Sequence, residues 1–213
     1  MALTFYYLSG SPFSWRVWLA LEHKKIDYEL YALSMEKGDL KSDWYLAINP
    51  RAKAPAIQDG SFVMSESNAI GEYLEEKYSE HGEALWPSNI ALKARARQLL
   101  YEIDNNFYPP TRRLIEQFFM RAKPDGDIVT TARAQLRQEY AKLRAVVSTD
   151  FLVGDMPTFA DYALYPLTAL LERIDNTTPH FELASGLLKP INEWRLQIEA
   201  LPYFKQTIPL HWR

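Results

Sequence analysis

From Leu3 to Leu8 the residues are aromatic or branched, and the run stops at Ser9-Gly10, which predicts a short buried strand ending in a turn. Between Phe13 and Lys24 the apolar positions, Val17, Trp18, Ala20 and Leu21 among them, recur at helical spacing, and Lys24-Lys25 suits a helix C-terminus. Ile26 to Leu33 predicts a second strand. Ala56-Ile57-Gln58 and Phe62-Val63-Met64 flank Asp59-Gly60, the signature of an antiparallel hairpin. Ser65 is then expected to cap a helix whose Ala69, Ile70, Tyr73, Leu74 and Tyr78 fall three and four apart, with Glu72, Glu75 and Glu76 on its wet face. The first half therefore reads as βαβ followed by ββα.

A polar, proline-containing stretch from Ser79 to Asn89 breaks the periodicity and reads as a linker. Beyond it no strand is predicted. Ala91 to Phe119 is helical in pattern but must bend near Pro109-Pro110, and Ala132, Leu136, Tyr140, Leu143 and Val147 make one helical stripe. Thr158 to Arg173 and Lys189 to Leu201 complete an all-helical half. Pro166 falls inside a predicted helix, where proline removes a hydrogen bond and crowds the preceding turn. The fold class is α/β plus all-α, with a first domain over 1–80, a linker over 81–88 and an all-α domain over 89–213.

Composition narrows the chemistry. The 213 residues are 47% hydrophobic and 24% charged, ordinary for globular protein. A net charge of −3 without any run of lysine or arginine offers no field for a polyanion, so no nucleic-acid partner is expected. With no cysteine there is no disulfide, no thiolate metal site and no protein thiol nucleophile; sulfur chemistry must come from a ligand. The histidines His23, His81, His180 and His211 are scattered, so no metal site is expected. The first residues lack a basic region, Arg16 and Glu22 interrupt the next apolar stretch, and no apolar run approaches membrane-spanning length, which reads as a cytoplasmic protein without a membrane anchor.

Four stretches carry candidate function. Ser11-Pro12-Phe13-Ser14 stands where a strand hands over to a helix, so backbone N–H groups and the helix dipole favour an anion there. Either serine also fits a plain helix cap. In Lys53-Ala54-Pro55-Ala56 a proline precedes a strand that should be internal; a cis Ala54-Pro55 bond would leave the Ala54 backbone facing outward to pair with an extended ligand, and a trans bond would make it an ordinary loop. Ser65-Glu66-Ser67-Asn68 opens a helix whose amides and hydroxyls suit a carboxylate, with Glu66 suited to an ammonium; plain capping is the alternative. Thr158-Phe159-Ala160-Asp161 is a capping box, read as structural.

Taken in order, these segments resemble the cytosolic glutathione transferases, in particular the serine-dependent zeta, tau and theta classes, across essentially the whole chain. The resemblance implies a thioredoxin-like first domain in which Ser11 and Ser14 stand where thioredoxin and glutaredoxin carry cysteines. It further implies that Ser11 contacts the sulfur of glutathione, the co-substrate, that Ala54, next to Pro55, pairs with the cysteinyl backbone, that Glu66 and Ser67 hold the γ-glutamyl end and that Lys53 faces the glycine carboxylate, with Lys41 a second contact. Ser11-Pro12-Phe13 departs from the Ser-Ser-Cys run of the zeta pattern, and Leu40-Lys41 lacks the histidine of theta-like chains.

An electrophile pocket is expected between the halves, from Phe13 and from a helix face carrying Tyr101, Asn105, Tyr108 and Arg112. The implied activity is transfer of glutathione to an apolar electrophilic small molecule. Glutathione-dependent isomerisation or ether cleavage on the same fold, or a non-catalytic glutathione-binding scaffold, remain alternatives. A homodimer is implied by the resemblance and agrees with an aromatic content of 14%.

Overall fold

The computed structural model describes residues 2–146, 150–178, 188 and 191–212. Val147, His180 and Lys189, named above, lie outside the described residues. The chain divides into two compact units, Met1–Trp86 with Pro202–Arg213, and Pro87–Leu201.

In the first unit, β1 (Leu3–Leu8) leads through a turn into α1 (Pro12–His23), then β2 (Tyr28–Leu33), α2 (Asp43–Ile48), β3 (Ala56–Asp59), β4 (Phe62–Ser65) and α3 (Ser67–Lys77). The strand order is β2-β1-β3-β4, with β1 parallel to β2 and antiparallel to β3, and β3 antiparallel to β4. Central β1 is buried almost throughout, which accounts for its continuous apolar run, while edge strand β2 is mostly exposed.

Two features differ from the sequence-based expectation. The chain between β2 and β3 contains α2, whose cap Ser42 accepts a hydrogen bond from the Tyr45 N–H at 3.4 Å. Ser65 does not cap α3; it is the last residue of β4, opposite Ala56, and the cap position falls to Glu66.

The segment after Leu201, assigned above to the helical half, clusters with the first unit, where α9 (Phe204–Thr207) lies against α1. The buried Trp15 indole donates to Thr207 Oγ1 at 3.0 Å, and Trp15 also meets the Phe204 and Trp212 rings, at 6.3 and 5.3 Å between centroids.

Buried His23 closes the same face. Its Nε2–H donates to the Ala84 carbonyl at 3.2 Å, so Nδ1 accepts from the Tyr203 hydroxyl at 2.8 Å. Desolvation holds the imidazole neutral and pushes its pKa below the ordinary value, with Lys24 adding to the effect. The unfolded chain takes up the proton first, so stability is full above about pH 6.5 and declines as pH falls from there toward the lower folded-state value. The melting temperature should drop between pH 7.5 and 5, and in His23→Gln that part of the profile should flatten; an unchanged slope in the variant would assign the drop to other groups.

The second unit consists of helices and their connections, with no strand among its described residues. α4 (Ile90–Glu102) is capped by Asn89, whose Oδ1 accepts from the N–H groups of Ala91 and Leu92. The disturbance expected near Pro109-Pro110 is a π-helical turn at Ile103–Phe107, just before α5 (Tyr108–Phe119). Both prolines lack an N–H, so the carbonyls one turn back lose their usual donors; the ladder widens instead of breaking, and the Tyr108 N–H reaches the carbonyl of Ile103. α6 (Gly126–Val146) buries Val129, Ala132, Leu136, Tyr140 and Leu143, and α7 (Phe159–Thr177) carries Pro166 in its buried interior without ending there. α8 (Asn192–Glu199) completes the unit.

Candidate functional site

Strand register gathers the candidate residues of the first unit at one end of the sheet. Leu8 and Leu33 end the parallel pair side by side; β3 begins at Ala56 opposite Tyr6, and β4 ends at Ser65 opposite Ala56. The segments carrying Ser11, Lys41, Lys53 to Pro55, and Glu66 with Ser67 therefore all leave the sheet at this end. A buried cluster of Tyr6, Leu33, Tyr45 and Ala56 floors it, with Leu8, Leu40 and Ala54 against the cluster. Neighbouring strands lie about 4.8 Å apart, so the ends of β1, β3 and β4 span about 10 Å. Three extended residues cover about the same length.

Ser11 is the cap of α1, with extended backbone at φ −71° and ψ 124°. Its N–H donates to the Leu8 carbonyl at 3.1 Å and its Oγ accepts the Ser14 N–H at 3.3 Å. The capping and anion-binding readings are compatible: capping uses a lone pair of Oγ and leaves the hydroxyl hydrogen to donate elsewhere. Ser14 is different. Its hydroxyl is buried and turned back to the strand, where it accepts the Leu8 N–H at 3.1 Å.

The Ala54-Pro55 bond is cis. The preceding loop is fixed at the Lys53 carbonyl, which accepts from the Tyr45 hydroxyl at 2.7 Å and from Asn49 Nδ2 at 2.6 Å. Among the described residues the backbone N–H and C=O of Ala54 have no hydrogen-bond partner. Half-buried and next to a strand end, they present the edge that an extended ligand pairs with. The Lys53 and Lys41 side chains are exposed, Lys41 closing a short 3-10 turn at Asp39–Lys41.

Glu66 adopts φ +72°, a left-handed conformation rare outside glycine, and its side chain makes no capping bond to α3. Such backbone is held only where its surroundings impose it. Exposed Glu66 and buried Ser67 thus stand at the N-terminus of an eleven-residue helix.

In the sequence Arg16 stands out as a charge that interrupts an apolar stretch, with no structural role assigned to it. It is fully buried; its guanidinium donates to Asn68 Oδ1 at 2.7 Å and lies 4.9 Å from the centre of the Phe13 ring. It ties α1, which Ser11 caps, to the first turn of α3. The available signal was one arginine set among Trp15, Val17, Trp18 and Leu19, where only a paired cation survives burial.

Of the residues expected to meet an electrophile, Phe13 lies in the first turn of α1 and half-buried Tyr108 opens α5. Exposed Arg112 pairs with Glu116 on its own helix at 2.7 Å. Among the described residues no group of His, Asp or Glu could hold a metal ion, and no helix is long and apolar enough to cross a membrane.

A serine cap, a backbone edge without hydrogen-bond partners beside a cis-proline and a helix N-terminus thus meet at one end of a four-stranded, thioredoxin-like sheet. Residues 10–77 match the family model of the glutathione S-transferase N-terminal domain, and residues 93–204 that of its C-terminal domain. Maleylacetoacetate isomerase of Dictyostelium discoideum is 34% identical over 201 residues, spanning 90% of each chain. Glutathione S-transferase 3 of Zea mays is 29% identical over 211 residues, 97% of this chain and 93% of the relative. The crystal structure of poplar glutathione transferase F1 superposes with a TM-score of 0.85 at 27% identity, over 98% of this chain and 97% of the other. The chain belongs to the glutathione S-transferase family, and its activity is that of a glutathione transferase.

Proposed function

We propose that residues 1–80 bind glutathione across the sheet end, with Ser11 donating its hydroxyl hydrogen to the sulfur. One observation carries this reading: the Ser11 oxygen already accepts the Ser14 N–H, so its own hydrogen is available to an anion placed beside the α1 N-terminus. Ala54 pairs with the cysteinyl backbone, Pro55 holding it at the strand mouth. Glu66 takes the γ-glutamyl ammonium, Ser67 and the α3 N-terminus take its carboxylate, and Lys53 with Lys41 faces the glycine carboxylate. The linker over 81–88 leads to the all-α domain that begins at residue 89, whose expected end at 213 gives way to the return of Pro202–Arg213 to the first unit. An apolar electrophile meets Phe13, Tyr108 and Arg112, in a cytoplasmic homodimer with a detoxifying role.

Free thiols ionise near a pKa of about 8.5, so at neutral pH most glutathione is protonated. One charge-assisted hydrogen bond and a helix dipole are enough to lower that value by a unit or more, each unit corresponding to about 1.4 kcal/mol. No general base is needed at the serine.

Glutathione-dependent isomerisation is a second reading. The similarity to the Dictyostelium isomerase favours it, and Ser11-Pro12-Phe13 in place of the zeta pattern opposes it. The deciding experiment measures retention on immobilised glutathione together with turnover of chlorodinitrobenzene and of maleylacetoacetate, on a sample whose assembly is checked by sedimentation. Retention with conjugation supports the proposal; retention without turnover of either substrate leaves a scaffold, and loss of both overturns it. A sedimenting species no larger than 24.7 kDa would exclude the homodimer.

A further inference from the structure

The turn that carries Ser11 is held from outside by a residue far away in sequence. Within the turn, Gly10 has φ +83°, and the space where its side chain would project is filled by His211: a Cβ there would lie 3.0 Å from the imidazole Cε1. His211 Nδ1 is 2.9 Å from Ser9 Oγ, and the Trp212 indole N–H donates to His211 Nε2 at 2.8 Å. An indole nitrogen only donates, so Nε2 is the accepting nitrogen, and Nδ1 carries the hydrogen and donates it to Ser9. Trp212 in turn stands edge-on against Trp15, 5.3 Å between centroids and 87° between planes, and Trp15 lies in the first turn of α1. The imidazole is thereby fixed to the helix on one side of Ser11 and to the turn on the other.

We propose that His211 is a positioning residue for Ser11: bridging the Trp212 indole and the Ser9 hydroxyl, it holds the Ser9–Ser11 turn so that the Ser11 hydroxyl points at the glutathione sulfur. The proposal rests on the reading of Ser11 given above. His211 touches neither sulfur nor electrophile; it acts by restricting the φ and ψ of Ser9 and Gly10, and with them the direction of the cap. Gly10 suits this arrangement twice over, because it tolerates the left-handed backbone and leaves room for the ring. Catalytic hydrogen bonds lose much of their effect when the donor is displaced by a fraction of an ångström, so a residue that narrows the turn's freedom acts on the rate without touching the reactants.

The test compares His211→Ala, Ser9→Ala, His211→Asn and Ser11→Ala in the full-length enzyme, by thiolate absorbance of bound glutathione against pH and by steady-state conjugation. Removing either partner of the bridge should raise the thiol pKa and lower kcat at neutral pH on the order of three- to tenfold, with little change in KM for glutathione. His211→Asn keeps a donor near the Nδ1 position and should recover most of the loss. In a Ser11→Ala background, His211→Ala should move the thiol pKa no further. An unchanged thiol pKa in both His211→Ala and Ser9→Ala, with Ser11→Ala shifted, overturns this proposal alone. An unchanged value in Ser11→Ala overturns the Ser11 assignment and this proposal with it. A loss confined to melting temperature or KM would show a merely structural contact and would also overturn it.

Discussion

Ser11→Ala should lower the conjugation rate at neutral pH about 10- to 150-fold while leaving retention on immobilised glutathione nearly intact. A hydrogen bond to a charged group is worth about 1.5–3 kcal/mol, which corresponds to that range of rates. Retention should survive because the proposed contacts of Ala54, Lys53, Glu66 and Ser67 belong to other segments of the sheet end. The variant's rate should keep rising with pH where the wild type levels off, since glutathione ionises unaided in alkali and the apparent pKa moves up. Ser14→Ala should behave differently: its hydroxyl accepts the Leu8 N–H inside the fold, so its loss costs stability more than rate. Titration of bound glutathione by thiolate absorbance decides between them. An unshifted thiol in Ser11→Ala refutes the assignment, and a shift seen only in Ser14→Ala transfers it to that residue.

Asp161→Ala should be the most destabilising single change in the helical unit. The wholly buried carboxylate accepts the Leu152 N–H at 2.8 Å and the Trp194 indole N–H at 2.7 Å on one oxygen. On the other it accepts the Thr158 N–H at 2.7 Å and the Thr158 hydroxyl at 2.8 Å. Burial pushes the carboxyl's pKa upward, and these four donors pull it back. Truncation would leave all four donors buried without an acceptor, at about 1–3 kcal/mol each, so a total loss above about 4 kcal/mol is expected. For a chain of this size that corresponds to roughly 10 °C or more in melting temperature. Protein that remains folded at low temperature should keep the wild-type thiol pKa. A melting point within about 2 °C of wild type would show that the site relaxes or admits water.

Local pattern made most of the first unit legible, because its elements obey the period of their own class. The β3–β4 hairpin is announced by Asp59-Gly60 between two short apolar runs, and β1 by six residues with no polar interruption except Thr4. α2 was missed because six residues cover less than two helical turns, too few for a period to stand out, although Ser42-Asp43 is a usable start signal. Glu66 defeated sequence reading for another reason: a glutamate at positive φ is imposed by what surrounds it, and Ser65, a better intrinsic cap, is spent on strand pairing. The prolines marked the distortion after α4 but not its form, since a widened turn and a kink share one sequence signature. Pro166 is absorbed because α7 is held by packing on all sides, which outweighs one missing hydrogen bond. At the candidate site, motifs single out Ser11, Lys53, Ala54, Glu66 and Ser67 as candidates. That they share one end of a sheet follows only from strand register, a long-range property. Arg16, Asn68 and His211 act through partners far away in sequence and left little local trace.

The return of Tyr203 to Trp212 to the first unit has a consequence for synthesis. Residues 1–86 leave the ribosome first, yet the groups that complete the Trp15 and His23 environments are made only after the whole of Pro87–Leu201. Domains generally fold as they emerge, but here the nascent first unit must wait with the Trp15 indole and the Ser9–Ser11 turn uncovered until the last stretch of chain arrives. The helical unit is, in topological terms, an insertion in the first unit. A fragment stopping in the linker would lack part of its own core, and the two halves cannot be exchanged between relatives by a single crossover there without separating Trp15 from Thr207.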